Sequence, residues 1–120
     1  MHSVNSMTSP GRTLAFGTAF LVAGLAPAAF AADVDAAAAE ALARSSGCLK
    51  CHSTTRDKEG PSYKKIAGKY KGQADAQQKL VAYLSKESKV KVDGKEETHK
   101  PLDSKNEADI RNVAGWILTR

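Results

Sequence analysis

Large apolar side chains are scarce in this sequence after its first 31 residues. All three Phe and both Met residues of the 120-residue chain lie before position 31. Of the 89 residues from 32 to 120, only 14 are Leu, Ile or Val, and this share of about 16% is below the roughly 20% at which disorder is suspected. A segment this small and this poor in apolar residues needs a disulfide, a metal or a large apolar cofactor to complete its core.

Charged residues are absent from positions 13 to 32. Pro27 lies late in this run, and Ala29-Phe30-Ala31 has the small-x-small pattern of a cleavage site. We therefore predict a signal peptide over residues 1–31, which leaves a single small domain over residues 32–120. An uncleaved membrane anchor is the alternative, because 20 uncharged residues are enough to span a bilayer, although Pro27 would interrupt a helix there.

The chain has only two cysteines, and both belong to the pentapeptide Cys48-Leu49-Lys50-Cys51-His52. A Cys-x-x-Cys-His motif is typical of covalent attachment of a c-type haem. Two thiols three residues apart on a turn can form thioethers to the two vinyl groups on one porphyrin edge, and the following imidazole can bind the iron. The motif therefore predicts Cys48, Cys51 and His52 as haem-binding residues. The porphyrin would supply the apolar core that the side chains do not.

Three other structures would use the same cysteines. A Cys48–Cys51 disulfide is possible in an exported chain, but it needs no adjacent histidine, and so small a loop adds little stability. A thioredoxin-like site requires a strand–helix–strand pattern around the cysteine pair, and the sequence has none. A zinc site could draw on both cysteines, His52 and His99. The usual spacing of zinc ligands is absent, however, and adjacent Cys51 and His52 would converge poorly on one tetrahedral ion.

Apolar spacing and turn residues predict four helices. The last helix follows a Ser104-x-x-Glu107 capping box and places Trp116 in the core. Valines alternate with lysines before Asp93-Gly94, so a small hairpin is possible there. The predicted elements are helices over Asp33–Arg44, Tyr63–Tyr70, Asp75–Glu87 and from Ser104 onward, with a loop over Lys89–Pro101.

The order of these features resembles a class I monohaem cytochrome c of the short bacterial periplasmic kind. The resemblance rests on Ser46–His52, Gly60–Ala67 and Ala114–Leu118, and it covers nearly the whole predicted domain. It implies an all-α fold of about four helices around one covalently attached haem c. It also implies that the Pro61 carbonyl accepts a hydrogen bond from the free ring N–H of His52. A weaker resemblance is to monohaem cytochromes of bacterial iron-oxidation pathways.

The sequence departs from this family at the sixth ligand of the iron. The usual ligand is a Met in the loop before the last helix, and no Met follows Met7. At that place the chain reads Glu97-Thr98-His99-Lys100-Pro101, and His99 is the only histidine after His52. We therefore predict His52 and His99 as the two axial ligands. Lys100 as the ligand and an open or water-bound site are the alternatives.

These residues indicate a periplasmic one-electron shuttle rather than an enzyme, with a lower reduction potential than its His/Met relatives. Its expected partners are periplasmic or membrane-bound redox proteins with acidic surfaces, which a basic face would attract. Neither nucleic acid nor a small-molecule substrate is expected. A haem-based sensor, a peroxidase-like protein and a subunit of a larger complex are the alternative functions. The basic face, which could equally be a plain solvated surface, comprises Lys50, Lys58, Lys64, Lys65 and Lys100, with Lys89, Lys91 and Lys95.

Overall fold

Four helices and one short hairpin make up residues 33–120, the part of the chain that the computed structural model describes. The predicted signal peptide over residues 1–31 lies outside the described residues. The predicted all-α class with four helices is confirmed. In chain order, the elements are α1 (Ala36–Ser45), a 3-10 turn (Cys48–Lys50), α2 (Tyr63–Tyr70), α3 (Ala76–Leu84), β1 (Ser88–Val92), β2 (Lys95–His99) and α4 (Glu107–Leu118).

The start of the first helix is joined to the middle of the last helix by a pair of hydrogen bonds. Asp35 caps α1 by accepting a hydrogen bond from Ala38 N through its carboxylate. The Asn112 side chain then contacts the Asp35 backbone twice, accepting from its N–H and donating to its C=O, both at 2.9 Å. This clamp holds the start of α1 against α4 and so helps to position the attachment motif that follows α1.

The core lies between α4 and the other three helices, against each of which α4 packs. Trp116 is 4% exposed, which confirms its predicted core position. The core is thin, as the composition predicted, because it contains no Phe and no Met. Its buried members are Ala39, Ala43, Tyr63, Leu80, Leu84, Leu102, Ile110, Val113, Ala114, Trp116 and Ile117. Among residues 33–120, no helix has the length and apolar content needed to cross a membrane.

The predicted capping box at Ser104 is wrong, because α4 begins later. Asn106 is the N-cap, and its side chain accepts a hydrogen bond from Ala108 N. Ser104 Oγ instead accepts from Asn106 N and donates to the Asp109 carboxylate. Ser104 thus orders the turn before the helix. A serine hydroxyl can form such local hydrogen bonds instead of capping the helix. The predicted helix over Asp75–Glu87 is also too long, since α3 ends at Leu84.

The segment predicted as a loop with a possible small hairpin is a complete antiparallel hairpin. Ser88 pairs with His99 at its open end and Val92 with Lys95 at its turn. Asp93 and Gly94 both have positive φ, 49° and 78°, as a type I′ turn requires. The hairpin matters for function because it carries His99 as the last residue of β2.

Candidate cofactor site

The attachment motif follows α1 after a single left-handed residue. Gly47 has a φ of 78°, which ends α1 and turns the chain into the Cys48–Lys50 turn. The backbone N–H groups of Cys51 and His52 both donate to the Cys48 carbonyl, at 3.2 and 3.0 Å. These backbone hydrogen bonds therefore hold the two thiols and the imidazole in a fixed arrangement.

Both thiols are free and partly exposed, so the alternative Cys48–Cys51 disulfide is not formed. Burial raises the pKa of Cys48 above its ordinary value. A hydrogen bond to the Glu59 carboxylate, 3.2 Å from Cys51 Sγ, raises the pKa of Cys51. Neither thiol has the lowered pKa of a reactive cysteine. The raised pKa values therefore argue against a redox-active thiol pair.

His52 is oriented by the carbonyl that the resemblance implied. Its Nδ1 lies 2.6 Å from Pro61 O. Because a carbonyl can only accept, Nδ1 carries the hydrogen and Nε2 is left with its lone pair as the possible metal-binding atom. The fixed φ of proline holds the position of the accepting carbonyl.

Gly60 leaves room for His52 where no other residue would. A Cβ on Gly60 would lie 2.6 Å from His52 Cε1 and 2.9 Å from Nδ1. The backbone around Gly60 is itself held, since Gly60 N donates to Cys51 O at 2.8 Å and Gly60 O accepts from Lys58 N at 3.0 Å. The glycine is therefore required for the close approach of the loop to the imidazole.

Asp57 braces the same loop against the start of α2. Its carboxylate accepts hydrogen bonds from Ser62 N at 2.8 Å and from Lys65 Nζ at 2.7 Å. The Lys65 ammonium and the Ser62 N–H lower the pKa of Asp57 to about 2. Ser62 immediately follows Pro61, so this brace helps to hold the carbonyl that orients His52.

We expect the Asp57→Asn holoprotein to be slightly less stable than the wild type at neutral pH. The Asp57 pKa is depressed by folding, so the carboxylate contributes stability that is complete above the unfolded pKa of about 4 and is lost as pH falls through about 2. The contribution is small because the pair is half-exposed. Urea midpoints of both proteins, measured by circular dichroism from pH 7 to 2, should converge on acidification. Asp75→Asn, at the exposed Asp75–Lys79 pair, is the control, and a pH-independent gap for Asp57→Asn would contradict the assignment.

The hairpin brings His99 to the same place as His52. The centres of the two imidazole rings are 6.1 Å apart, and the ring planes are inclined by 63°. Tyr83 of α3 packs against the other side of His99, with ring centres 5.0 Å apart. The base of the hairpin is held by a hydrogen bond from Leu102 N to Leu84 O at 2.9 Å.

The two imidazoles fit a metal ion between them. Two metal–nitrogen bonds of about 2 Å, added to the distance of ~1.1 Å from each nitrogen to its ring centre, place the ring centres about 6 Å apart. His99 Nδ1 is buried and has no hydrogen-bond partner among the described residues. Burial, with a smaller contribution from His52, lowers the pKa of His99, which favours the neutral imidazole that a metal requires. Lys100 is exposed.

The four residues of the alternative zinc site do not come together. Within residues 33–120, no three His, Cys, Asp or Glu side chains converge to hold a metal ion. The geometry thus joins His52 to His99 as a pair and leaves Cys48 and Cys51 on the attachment turn. This arrangement fits a planar cofactor bound through its edge and axially at its centre.

Two aromatic residues of the core support His52. Tyr63 stacks on the imidazole with ring centres 5.7 Å apart, and Trp116 meets Tyr63 edge to face at 5.2 Å. The Arg120 guanidinium lies 4.9 Å from the centre of the Trp116 ring, which shields the indole from solvent. α4 thus supports the attachment motif through Tyr63.

Sequence reasoning missed several residues that shape the site. Gly60 was seen only as part of a motif, and a glycine gives no sequence signal of the side chain that approaches it. Asp57 and Glu59 belong to a polar loop, and their contacts with Lys65 and Cys51 form only when that loop folds. Ser88 and Tyr83 enter the site only because the hairpin folds back toward α3, which depends on tertiary packing.

The predicted basic face is partly neutralised by neighbouring carboxylates. Lys65 pairs with Asp57, and Lys89 lies 3.9 Å from Glu96. Lys58 donates to Leu49 O at 2.8 Å, which keeps its ammonium beside the attachment turn. All eight lysines of the face are exposed.

The fold and the site define a small monohaem electron carrier of the class I type. A family profile described as cytochrome c matches residues 36–120. The chain belongs to the cytochrome c family and carries one covalently attached c-type haem, with Cys48 and Cys51 in the attachment motif.

Relatives agree with this assignment over most of their own length. The chain is 42% identical over 78 residues to cytochrome c2 of Rubrivivax gelatinosus, covering 64% of this chain and 91% of that protein. It is 38% identical over 86 residues to cytochrome c-551 of Allochromatium vinosum, covering 64% and 80%. The crystal structure of class 1 cytochrome MtoD from Sideroxydans lithotrophicus ES-1 is similar with a TM-score of 0.68 and 46% identity, covering 72% of this chain and 96% of that one.

Proposed function

We propose that this cytochrome c is a periplasmic one-electron carrier in which His52 and His99 are the two axial ligands of the haem. The observation that supports the ligand pair most directly is the 6.1 Å separation of the two imidazole rings. His99 is also the only histidine after His52, and it occupies the chain position where the family usually has Met.

Each residue has a distinct task in this proposal. Haem c, when bound, supplies an iron that accepts and releases one electron. Cys48 and Cys51 hold the porphyrin edge through two thioethers, so the carrier keeps its cofactor in both oxidation states. Pro61 O fixes the tautomer and rotation of His52. His99 closes the opposite side and leaves no free position for a substrate, and for this reason we do not propose an enzyme.

A second imidazole in place of a thioether lowers the reduction potential, because thioether sulfur favours ferrous iron. Axial ligands help to set a range of about 0.8 V, so we expect a potential on the order of a hundred millivolts below that of a His/Met relative. The carrier would then accept electrons only from donors of correspondingly low potential.

The proposed partners are periplasmic or membrane-bound redox proteins with acidic surfaces. The exposed lysines Lys50, Lys64 and Lys100 support this choice, because they have no ion pair within residues 33–120. The export signal predicted over residues 1–31 supports the compartment.

Optical and paramagnetic resonance spectra of the purified holoprotein test the proposal. We expect a low-spin paramagnetic resonance signal from the ferric form and a low-spin optical spectrum of the ferrous form that carbon monoxide leaves unchanged. A high-spin ferric signal, or rapid binding of carbon monoxide, would contradict the ligand pair and favour a sensor or peroxidase-like protein. Electron transfer itself is checked by a redox titration, which should show one reversible one-electron step.

A further inference from the structure

The two histidines differ in the hydrogen bonding of their Nδ1 atoms. His52 has a hydrogen-bond partner for Nδ1 in the Pro61 carbonyl. His99 Nδ1 is buried and has none among the described residues. A metal-bound imidazole almost always donates its second ring N–H to an acceptor, which fixes the ring orientation and raises the basicity of the ligand. The distal side of the proposed site therefore requires an acceptor.

Ser88 offers that acceptor on the neighbouring strand. Ser88 and His99 stand directly opposite each other in the hairpin register. Directly opposite residues of an antiparallel pair place their side chains on the same face, with Cβ atoms about 4.5–5.5 Å apart. Ser88 shares its face with Val90 and Val92, the more buried face of β1.

Ser88 Oγ is also a buried atom without a hydrogen-bond partner in residues 33–120. A buried hydroxyl without a partner is uncommon and calls for an explanation. The same face of one hairpin thus holds two such atoms, one on each of two paired residues. A serine hydroxyl has two acceptor lone pairs, so it can receive the imidazole N–H.

We infer that Ser88 is the positioning residue of His99, with Ser88 Oγ accepting a hydrogen bond from His99 Nδ1–H while the other ring nitrogen binds the iron. This inference rests on the proposed axial ligation by His99. The solvent-facing hydroxyl beside it, Thr98 Oγ1, is already engaged, because it accepts from Lys89 Nζ at 3.0 Å. Ser88 would do for His99 what Pro61 does for His52.

The test compares holoprotein variants with and without the hydroxyl. Ser88→Ala removes it, Ser88→Thr keeps it, and Thr98→Ala removes a hydroxyl from the opposite face of the same hairpin. The first readout is the Nδ1–H proton of His99 in the ferrous protein, followed by nuclear magnetic resonance as it exchanges with solvent. The second is the rate at which cyanide binds the ferric protein, which reports how readily His99 leaves the iron.

We expect a slowly exchanging Nδ1–H in the wild type, Ser88→Thr and Thr98→Ala, and fast exchange in Ser88→Ala. Loss of an acceptor to a metal-bound imidazole typically weakens binding at least tenfold, so cyanide should bind Ser88→Ala about tenfold faster than the other three proteins. A purely structural serine would change thermal stability without moving either readout.

Failure of the inference is distinct from failure of the ligand pair. If the wild type is low-spin through His99 and Ser88→Ala keeps both the exchange protection and the cyanide rate, the inference is wrong and the ligand pair stands. If His99→Ala leaves the wild-type spectrum unchanged, His99 is not a ligand and both are overturned.

Discussion

Replacing His99 with alanine is expected to convert the ferric holoprotein from a low-spin to a high-spin spectrum and to let the ferrous form bind carbon monoxide. The change removes one of two imidazoles whose ring centres lie 6.1 Å apart, and no other described histidine can take its place. Optical and paramagnetic resonance spectra measure the change directly. Added imidazole should restore the low-spin spectrum, because the site keeps its shape when only the side chain is lost.

Two companion variants separate His99 from its neighbour and from the usual family ligand. Lys100→Ala should leave the spectra of the wild type intact, since Lys100 is exposed. His99→Met should remain low-spin with a reduction potential raised by on the order of a hundred millivolts. A low-spin spectrum that survives in His99→Ala and disappears in Lys100→Ala would assign the ligand to the lysine.

Gly60→Ala is expected to be the most damaging single-methyl change in the described part of the chain. The added Cβ would lie 2.6 Å from the His52 ring, while the loop backbone is held by its hydrogen bonds to Cys51 and Lys58. Either the imidazole or the loop has to move, and both movements stretch the 2.6 Å contact between His52 Nδ1 and Pro61 O. Overpacking of this kind costs about 1–3 kcal/mol, which lowers the melting temperature by roughly 4–24 °C in a domain of this size.

Gly68→Ala is the matched control for Gly60→Ala. A Cβ at Gly68 meets no heavy atom within 4 Å, and the residue lies inside α2. Replacing a helical glycine by alanine should stabilise the protein by about 0.5–1 kcal/mol. Thermal unfolding, and the fraction of purified protein that carries haem, measure both variants. Equal melting temperatures for the two alanine variants would refute the steric role of Gly60.

The helical fold could be predicted because its signals are local. The Ala-rich first helix, the glycine that ends it and the apolar spacing of the last helix each act over a few residues. The attachment motif could be predicted for the same reason, since its chemistry is contained in five adjacent positions. The first helix was predicted from Asp33, and the structure places its cap two residues later, at Asp35.

The features that escaped prediction depend on choices between similar local options or on distant packing. Ser104 and Asn106 are both good cap residues, and the helix starts from Asn106 because Ser104 is occupied with the preceding turn. The alternation of valine and lysine predicted a small hairpin but not its full length to His99. The two-residue Asp93-Gly94 turn sets a register that pairs Ser88 with His99, but the pairing follows only when the strands are known to extend that far.

The clamp between Asp35 and Asn112 has a consequence for the order in which the chain becomes able to hold its cofactor. These two residues are 77 positions apart, so the contact closes almost the whole described chain into one loop. A ribosome delivers Cys48, Cys51 and His52 long before it delivers α4, whose Trp116 supports Tyr63 behind His52. The growing chain therefore contains the attachment motif before it contains the helix that supports it. Removal of the last helix would leave the attachment residues in the chain but would take away the Trp116–Tyr63 support behind His52.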